Sequence, residues 1–288
     1  MTVDTGVRGQ IRLRQSNKEP CVPKATPLDP TDLVVDRSDP AVAIVTINKP
    51  TRRNALSLAM WRELGNIFER LGGEAELRAI ILTGAGGAFS AGADISEFPA
   101  VRATPEEGHA YETVVDACQT KIQSCPKATI AAISGPCYGG GVGVALACDF
   151  RVADKSAYFA IPAARLSNVY GVIETRALFN AVGLAVAKEV LFAGKRYTAD
   201  EAHDVGLATH RAKDDALSGA RDLAASLAKS APITIKGAKL VLTAIAQAEI
   251  EKRQAAISGV MDEALASGDY KEGVAAFAAK RDPVFRGR

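Results

Sequence analysis

Two short glycine-bearing stretches hold the residues best suited to chemistry: Gly86-Gly87-Ala88-Phe89-Ser90-Ala91-Gly92-Ala93-Asp94-Ile95 and Gly135-Pro136-Cys137-Tyr138-Gly139-Gly140-Gly141-Val142-Gly143. Each follows a β-branched apolar run, Ala79-Ile80-Ile81-Leu82-Thr83 and Thr129-Ile130-Ala131-Ala132-Ile133-Ser134. A strand that ends in small residues leaves backbone N–H groups facing a cleft with no side chain in the way. Two such loops converging on one point form an oxyanion hole, which holds negative charge developing on a thioester or carbonyl oxygen. The second loop carries no carboxylate at its far end. The chain therefore says more about what is bound than about which reaction follows.

The elements that must position these loops are legible from Leu33 onward. Leu33-Val34-Val35 and Ala41–Ile47 read as two strands joined by Ser38-Asp39-Pro40, and Asn48-Lys49-Pro50 ends the second. From Ser57, Leu58, Met60, Trp61, Leu64, Ile67, Phe68 and Leu71 recur at helical spacing until Gly72-Gly73. A helix follows from about Pro105 to Ser124, and a small-residue helix, Val142 to Ala147, opens from the triple glycine. Asp149–Ala153 and Ala157–Ala160 read as short strands. From Glu174 onward nearly everything is helical, with breaks at Gly183, Gly194, Gly206 and Pro232. Strand–helix units first and helices last predict an α/β fold with a helical C-terminal section.

Composition narrows the functional classes. The 288 residues are 48% apolar and 24% charged, ordinary for a soluble globular chain able to bury a substantial core. A net charge of +2 is too small to point to nucleic acid, and no apolar run is long enough to span a membrane. The polar N-terminal stretch, 1–32, lacks the apolar segment of a secretory signal and reads as a flexible extension. Five cysteines (Cys21, Cys118, Cys125, Cys137, Cys148) and three scattered histidines show no metal-type spacing. Reduced thiols, a cytoplasmic location and no metal are expected.

With these pieces in place, the chain from about Leu33 to its end resembles the enoyl-CoA hydratase/isomerase (crotonase) superfamily. Ile47-Asn48-Lys49-Pro50 with Asn54-Ala55-Leu56 and Met60 is similar to its first CoA-contacting loop; Phe89–Ile95 and Gly139-Gly140-Gly141 are similar to its two oxyanion loops. Lys195–Ala202 with Gly206-Leu207, and Asp269–Gly273 through Phe277 and Pro283, resemble its C-terminal segments. The resemblance implies an α/β crotonase-like spiral of β-β-α units over 33–198, with a C-terminal helical trimerisation region over 199–288. It implies an acyl-CoA thioester as substrate, no separate cofactor because coenzyme A is part of that substrate, and homotrimers or homohexamers. By position, the amides of Ala91 and Gly140 are expected to hold the thioester oxygen, aided by the helix N-terminus there. Arg53, Ala55, Gly92, Ala93, Asp94, Ile95 and Gly139 are expected to line the ligand, and Asp94 is equally suited to capping the turn after it.

Two positions depart from the family. Its hydratases carry one glutamate three residues after the oxyanion glycine and another after a proline about twenty residues later; here those positions are Gly143 and Ala163. Neither side chain can move a proton, so the two-glutamate hydration mechanism is not available in its usual form. The resemblance implies that Tyr170 and Glu174 line the acyl end of the pocket, where either is a candidate to replace the missing carboxylates. Glu174 reads equally as a favourable charge at a helix N-terminus and Tyr170 as a packed loop aromatic, while Glu112 and Asp116, one turn apart on the preceding helix, are expected mainly at the solvent surface. Isomerase, lyase, decarboxylase or atypical hydratase chemistry is then expected; the alternative is a non-catalytic acyl-CoA-binding or assembly protein. A serine hydrolase built on Ser90 fits poorly, because its neighbours do not form a nucleophile elbow.

Overall fold

The computed structural model describes residues 26–288. Most of the expected N-terminal extension, 1–32, lies outside them, as does Cys21.

Apolar runs and helices alternate as the sequence predicts. Strands β1 (Leu33–Asp36) and β2 (Val42–Ile47) pair antiparallel. Helix α1 (Leu58–Gly72) starts where the Ser57 hydroxyl accepts the Met60 N–H. Then come β3 (Ala79–Gly84), the single turn α2 (Phe98–Val101) and α3 (Pro105–Gln123), the last opened by a reciprocal Thr104–Glu107 capping box. β4 (Ala128–Ile133), β5 (Pro136–Tyr138) and α4 (Gly140–Ala147) form one strand–strand–helix turn. β6 (Phe150–Ala153), β7 (Tyr158–Ala160) and α5 (Val172–Lys188) form the next. β8 (Tyr197–Thr198), α6 (Ala199–Asp204), β9 (His210–Arg211), α7 (Ala216–Leu227), α8 (Pro232–Ala246), α9 (Ile250–Ala266) and α10 (Gly268–Ala278) complete the chain.

Successive turns feed two sheets: a six-stranded sheet ordered β1-β2-β3-β4-β6-β9 and a three-stranded sheet ordered β5-β7-β8. The large sheet is buried on both faces, which is why its strands read as continuous apolar runs. Val45, Ile47, Ile80, Leu82, Ala131 and Ile133 face the main core with α1 and α3. The alternate residues Val42, Ile44, Ile81, Ile130 and Val152 meet Ala216, Ala220 and Ala224 of α7.

The spiral therefore reaches past residue 198, where the sequence reading ends it. β9 pairs with β6, and α7 covers the second face of the large sheet. Strands of two residues such as β8 and β9 carry no periodicity of their own. Within α5, Gly183 stands at φ 73° and breaks the helix where the sequence reading expects a break.

Candidate active site

The two glycine loops are zipped together by backbone hydrogen bonds. The Phe89 and Ser90 N–H groups both donate to the Pro136 carbonyl at 3.0 Å, and the Tyr138 N–H donates back to the Ser90 carbonyl at 2.9 Å. Between them sits Gly92 at φ 87°, where a Cβ would lie 2.6 Å from the Tyr138 carbonyl oxygen and 2.8 Å from the Gly140 nitrogen. No side chain fits there.

A buried asparagine locks this assembly to the preceding loop. Asn54 donates through Nδ2 to the carbonyls of Ala85 (2.8 Å) and Ala88 (2.6 Å), and its Oδ1 accepts the Lys49 N–H at 2.9 Å. The Ser90 hydroxyl donates to the Asn54 carbonyl and accepts the Gly92 N–H. Ser90 is thus a fully engaged structural hydroxyl, which removes the serine-hydrolase alternative.

The same hydrogen bonds correct the expected oxyanion pair. The Ala91 N–H donates to the Arg53 carbonyl at 2.9 Å and is not available to a ligand. The Gly139 N–H is likewise spent, on the Ala160 carbonyl. Among the described residues the N–H groups of Ala93 and Gly140 have no acceptor, and a Cβ on Gly140 would stand 3.7 Å from the Ala93 nitrogen. Leu56 sets this register: its N–H donates to the Gly92 carbonyl and its own carbonyl accepts the Asp94 N–H, so the Ala93 amide points the other way. Gly140 is also the first residue of α4, whose N-terminal dipole favours negative charge.

These amides open into a cavity of about 790 Å³. Of the sequence-derived candidates, Ala91, Ala93, Ile95, Gly139, Gly140, Tyr170 and Glu174 line it, whereas Arg53, Ala55, Gly92 and Asp94 do not. Asp94 caps the turn Ile95–Glu97 by accepting from the Ser96 amide and hydroxyl. Burial works against its charge, but the Ser96 bonds and the nearby Lys49 prevail and hold its carboxyl below the usual range. Ala55 is buried under the loop, and Arg53 is exposed beside Tyr138, as is Arg196.

The acyl end of the cavity explains the missing glutamates. Ala163 presents only a methyl group to the wall. Gly143 faces two side chains: a Cβ there would come within 2.8 Å of both Gln119 Nε2 and Glu174 Oε1. A carboxylate has thus arrived beside position 143 from another helix. Glu174, on the first turn of α5, is only 7% exposed and accepts a hydrogen bond from Gln119 Nε2 at 2.8 Å. Desolvation pushes its carboxyl up to about 7, with Glu112 and Asp116 adding to the rise and Gln119 and Arg102 opposing it. The Tyr170 hydroxyl stands against Gly139, and burial together with Glu174 pushes that phenol up as well.

Three lining residues carry no signal in the two motifs. Arg102 pairs with Glu112 at 2.9 Å, donates to Asn168 Oδ1 at 3.1 Å and lies over the rings of Phe98 and Tyr111. Tyr111 accepts from Trp61 Nε1 at 3.1 Å, and Trp61 lies beneath Gly140. Glu112 therefore lines the cavity in an ion pair and is not the solvent-facing residue expected, while burial raises the carboxyls of both Glu112 and Asp116. Gln119 could have been found from the helix pattern: it interrupts the stripe of Tyr111, Val115, Cys118 and Ile122, and a polar residue on a buried stripe must have a partner.

Residues 37–288 match the model of the enoyl-CoA hydratase/isomerase family. The chain belongs to that family. Its relatives include the short-chain-enoyl-CoA hydratase of Clostridium acetobutylicum, 31% identical over 86% of this chain and 95% of that protein. They also include the mitochondrial Δ(3,5)-Δ(2,4)-dienoyl-CoA isomerase of Mus musculus, 32% identical over 69% of this chain and 64% of that one. The crystal structure of an enoyl-CoA hydratase from Bacillus anthracis superposes with a TM-score of 0.81 at 31% identity, covering 89% of this chain and all of the other. As an enoyl-CoA hydratase/isomerase family member the chain is an acyl-CoA-processing enzyme of the crotonase fold, and its helical C-terminal region belongs to that fold.

Proposed function

We propose that this family member isomerises a double bond in an acyl-CoA, using the amides of Ala93 and Gly140 to hold the thioester oxygen and Glu174 as the proton carrier. The observation that carries the proposal is the single buried carboxyl beside position 143, at a site where both usual hydratase carboxylates are absent. Hydration needs one group to activate water and another to protonate carbon. Moving a double bond needs one group that removes a proton from one carbon and returns it to another. A carboxyl that titrates at about 7 is present in both forms near neutral pH and suits that task.

In this mechanism the Glu174 carboxylate takes a proton from the acyl chain, and the electron pair moves through the conjugated carbons onto the thioester oxygen. The Ala93 and Gly140 amides stabilise the enolate, each worth on the order of 3–4 kcal/mol in comparable sites. The protonated Glu174 then returns the proton to the other carbon, and the pair moves back from oxygen. No separate cofactor enters, since the thioester is itself the electron sink. Arg53 and Arg196, exposed beside Tyr138, are suited to the CoA phosphates.

The family label does not decide between the two chemistries, because its relatives carry both hydratase and isomerase names. The deciding experiment offers 3-enoyl-CoA and crotonyl-CoA separately and follows the products by mass spectrometry, with deuterium uptake in D2O. Isomerisation of the first, with hydration of the second slow or absent, is expected. Crotonyl-CoA hydration that outpaces isomerisation overturns the proposal, and tight binding of both thioesters without turnover favours the non-catalytic alternative.

A further inference from the structure

Gln119 is fully buried on α3, and only one end of its amide is used. Nε2 donates to Glu174 Oε1, while its own Oε1 is buried with no hydrogen-bond partner among the described residues. An orphaned buried acceptor is costly, and native chains keep such groups only where something requires them. The two ends of a glutamine amide have nearly the same shape, so a half-turn exchanges donor for acceptor without repacking.

We infer that Gln119 is a positioning residue that holds the Glu174 carboxyl in both protonation states by turning its amide, donating to the carboxylate and accepting from the acid. The inference rests on the reading of Glu174 as the proton carrier. In either state one end of the amide is satisfied and the other is not, so neither form of Glu174 is locked in place. Gly143 is part of the same device, since any Cβ there would stand 2.8 Å from both partners and obstruct the turn. The other charged groups facing Glu174 are Glu112 and Asp116 on α3 and Arg102 after α2, with the Tyr170 phenol in the loop before α5. None of them is in hydrogen-bond contact with the Glu174 carboxyl, which leaves Gln119 as its direct partner among the described residues.

The test is an infrared titration of the substrate-free protein, with the Glu174 band assigned by its loss in Glu174→Gln. In the wild type the acid band is expected at the lowered frequency of a hydrogen-bonded carboxyl, titrating at about 7. In Gln119→Leu the acid band should move to the frequency of a free carboxyl. The midpoint should rise by about one pH unit, because a bond to the charged form is stronger than one from the neutral form. An unchanged band and midpoint in Gln119→Leu overturn the inference. Gln119→Met serves if the leucine variant does not fold, and a wild-type acid band at the free frequency overturns the inference without any variant. The spectrum needs no turnover, so a failed isomerase assay and a failed Gln119 role remain distinguishable.

Discussion

In its proposed role Glu174 meets two opposing demands, since burial that suits its carboxyl to proton transfer also burdens the fold. Replacing it by glutamine keeps the shape and removes the proton, so turnover should fall by about 10²–10⁴-fold while CoA binding, followed by calorimetry, is unchanged. The cost to the fold has a definite sign. The folded carboxyl titrates at about 7 against an ordinary 4.5. Below the lower value both folded and unfolded chains are protonated and nothing is lost. As pH rises between the two values the unfolded chain ionises first and stability falls, and above the upper value the loss is complete, on the order of 3 kcal/mol. The thermal midpoint of Glu174→Gln relative to wild type should therefore be higher at about pH 8 than at about pH 5; no difference between the two would show that Glu174 ionises freely in the fold. Gly143→Glu, which places a carboxylate where the family's hydratases carry one, should push Gln119 and Glu174 aside and lower isomerisation, as initial rates would report. Glu174 is legible in the sequence as an acidic residue opening a helix. Gln119 shows in the pattern of α3 only as a buried polar residue in need of a partner; that the partner is Glu174 is not legible, because the two lie 55 positions apart and meet through the packing of α3 against α5.

At the level of loops and strands, the proposed oxyanion donors depend on registration more than on residue type. Gly92→Ala would place a methyl group between the Tyr138 carbonyl and the Gly140 nitrogen at φ 87°, prising the two loops apart. We expect at least a hundredfold loss of turnover, the scale of removing one oxyanion donor, in a protein whose circular dichroism is near wild type. Wild-type rates in that variant would mean that Ala93 and Gly140 do not act together. Ala91 and Ala93 are the same residue type two positions apart, so composition cannot choose between them. The choice is made by the Leu56 bridge and by the Ala91 bond to Arg53, both long-range pairings. The long strands and α1 are legible because their apolar spacing repeats, whereas β5, β8 and β9 owe their form to neighbours already in place.

Across the whole molecule, the C-terminal helices leave apolar side chains uncovered: Leu242 is 65% exposed, Met261 58%, Val274 57% and Phe277 88%. Exposed apolar side chains on helices suit contact between copies, and sedimentation at micromolar concentration should report trimers or pairs of trimers. A monomer there would leave these side chains without a partner of their own kind. One backbone hydrogen bond has a mechanical meaning at this scale. The Arg53 carbonyl, on the segment suited to the nucleotide end of CoA, accepts the Ala91 N–H two residues before the proposed oxyanion donor Ala93. With the nucleotide bound there, a pull at one end of the ligand would be transmitted through that bond to the amide at the other. Pantetheine thioesters, which lack the nucleotide, should then lose kcat as well as gaining KM. The adenine and phosphates, remote from every bond that changes, would then act as a lever on the rate.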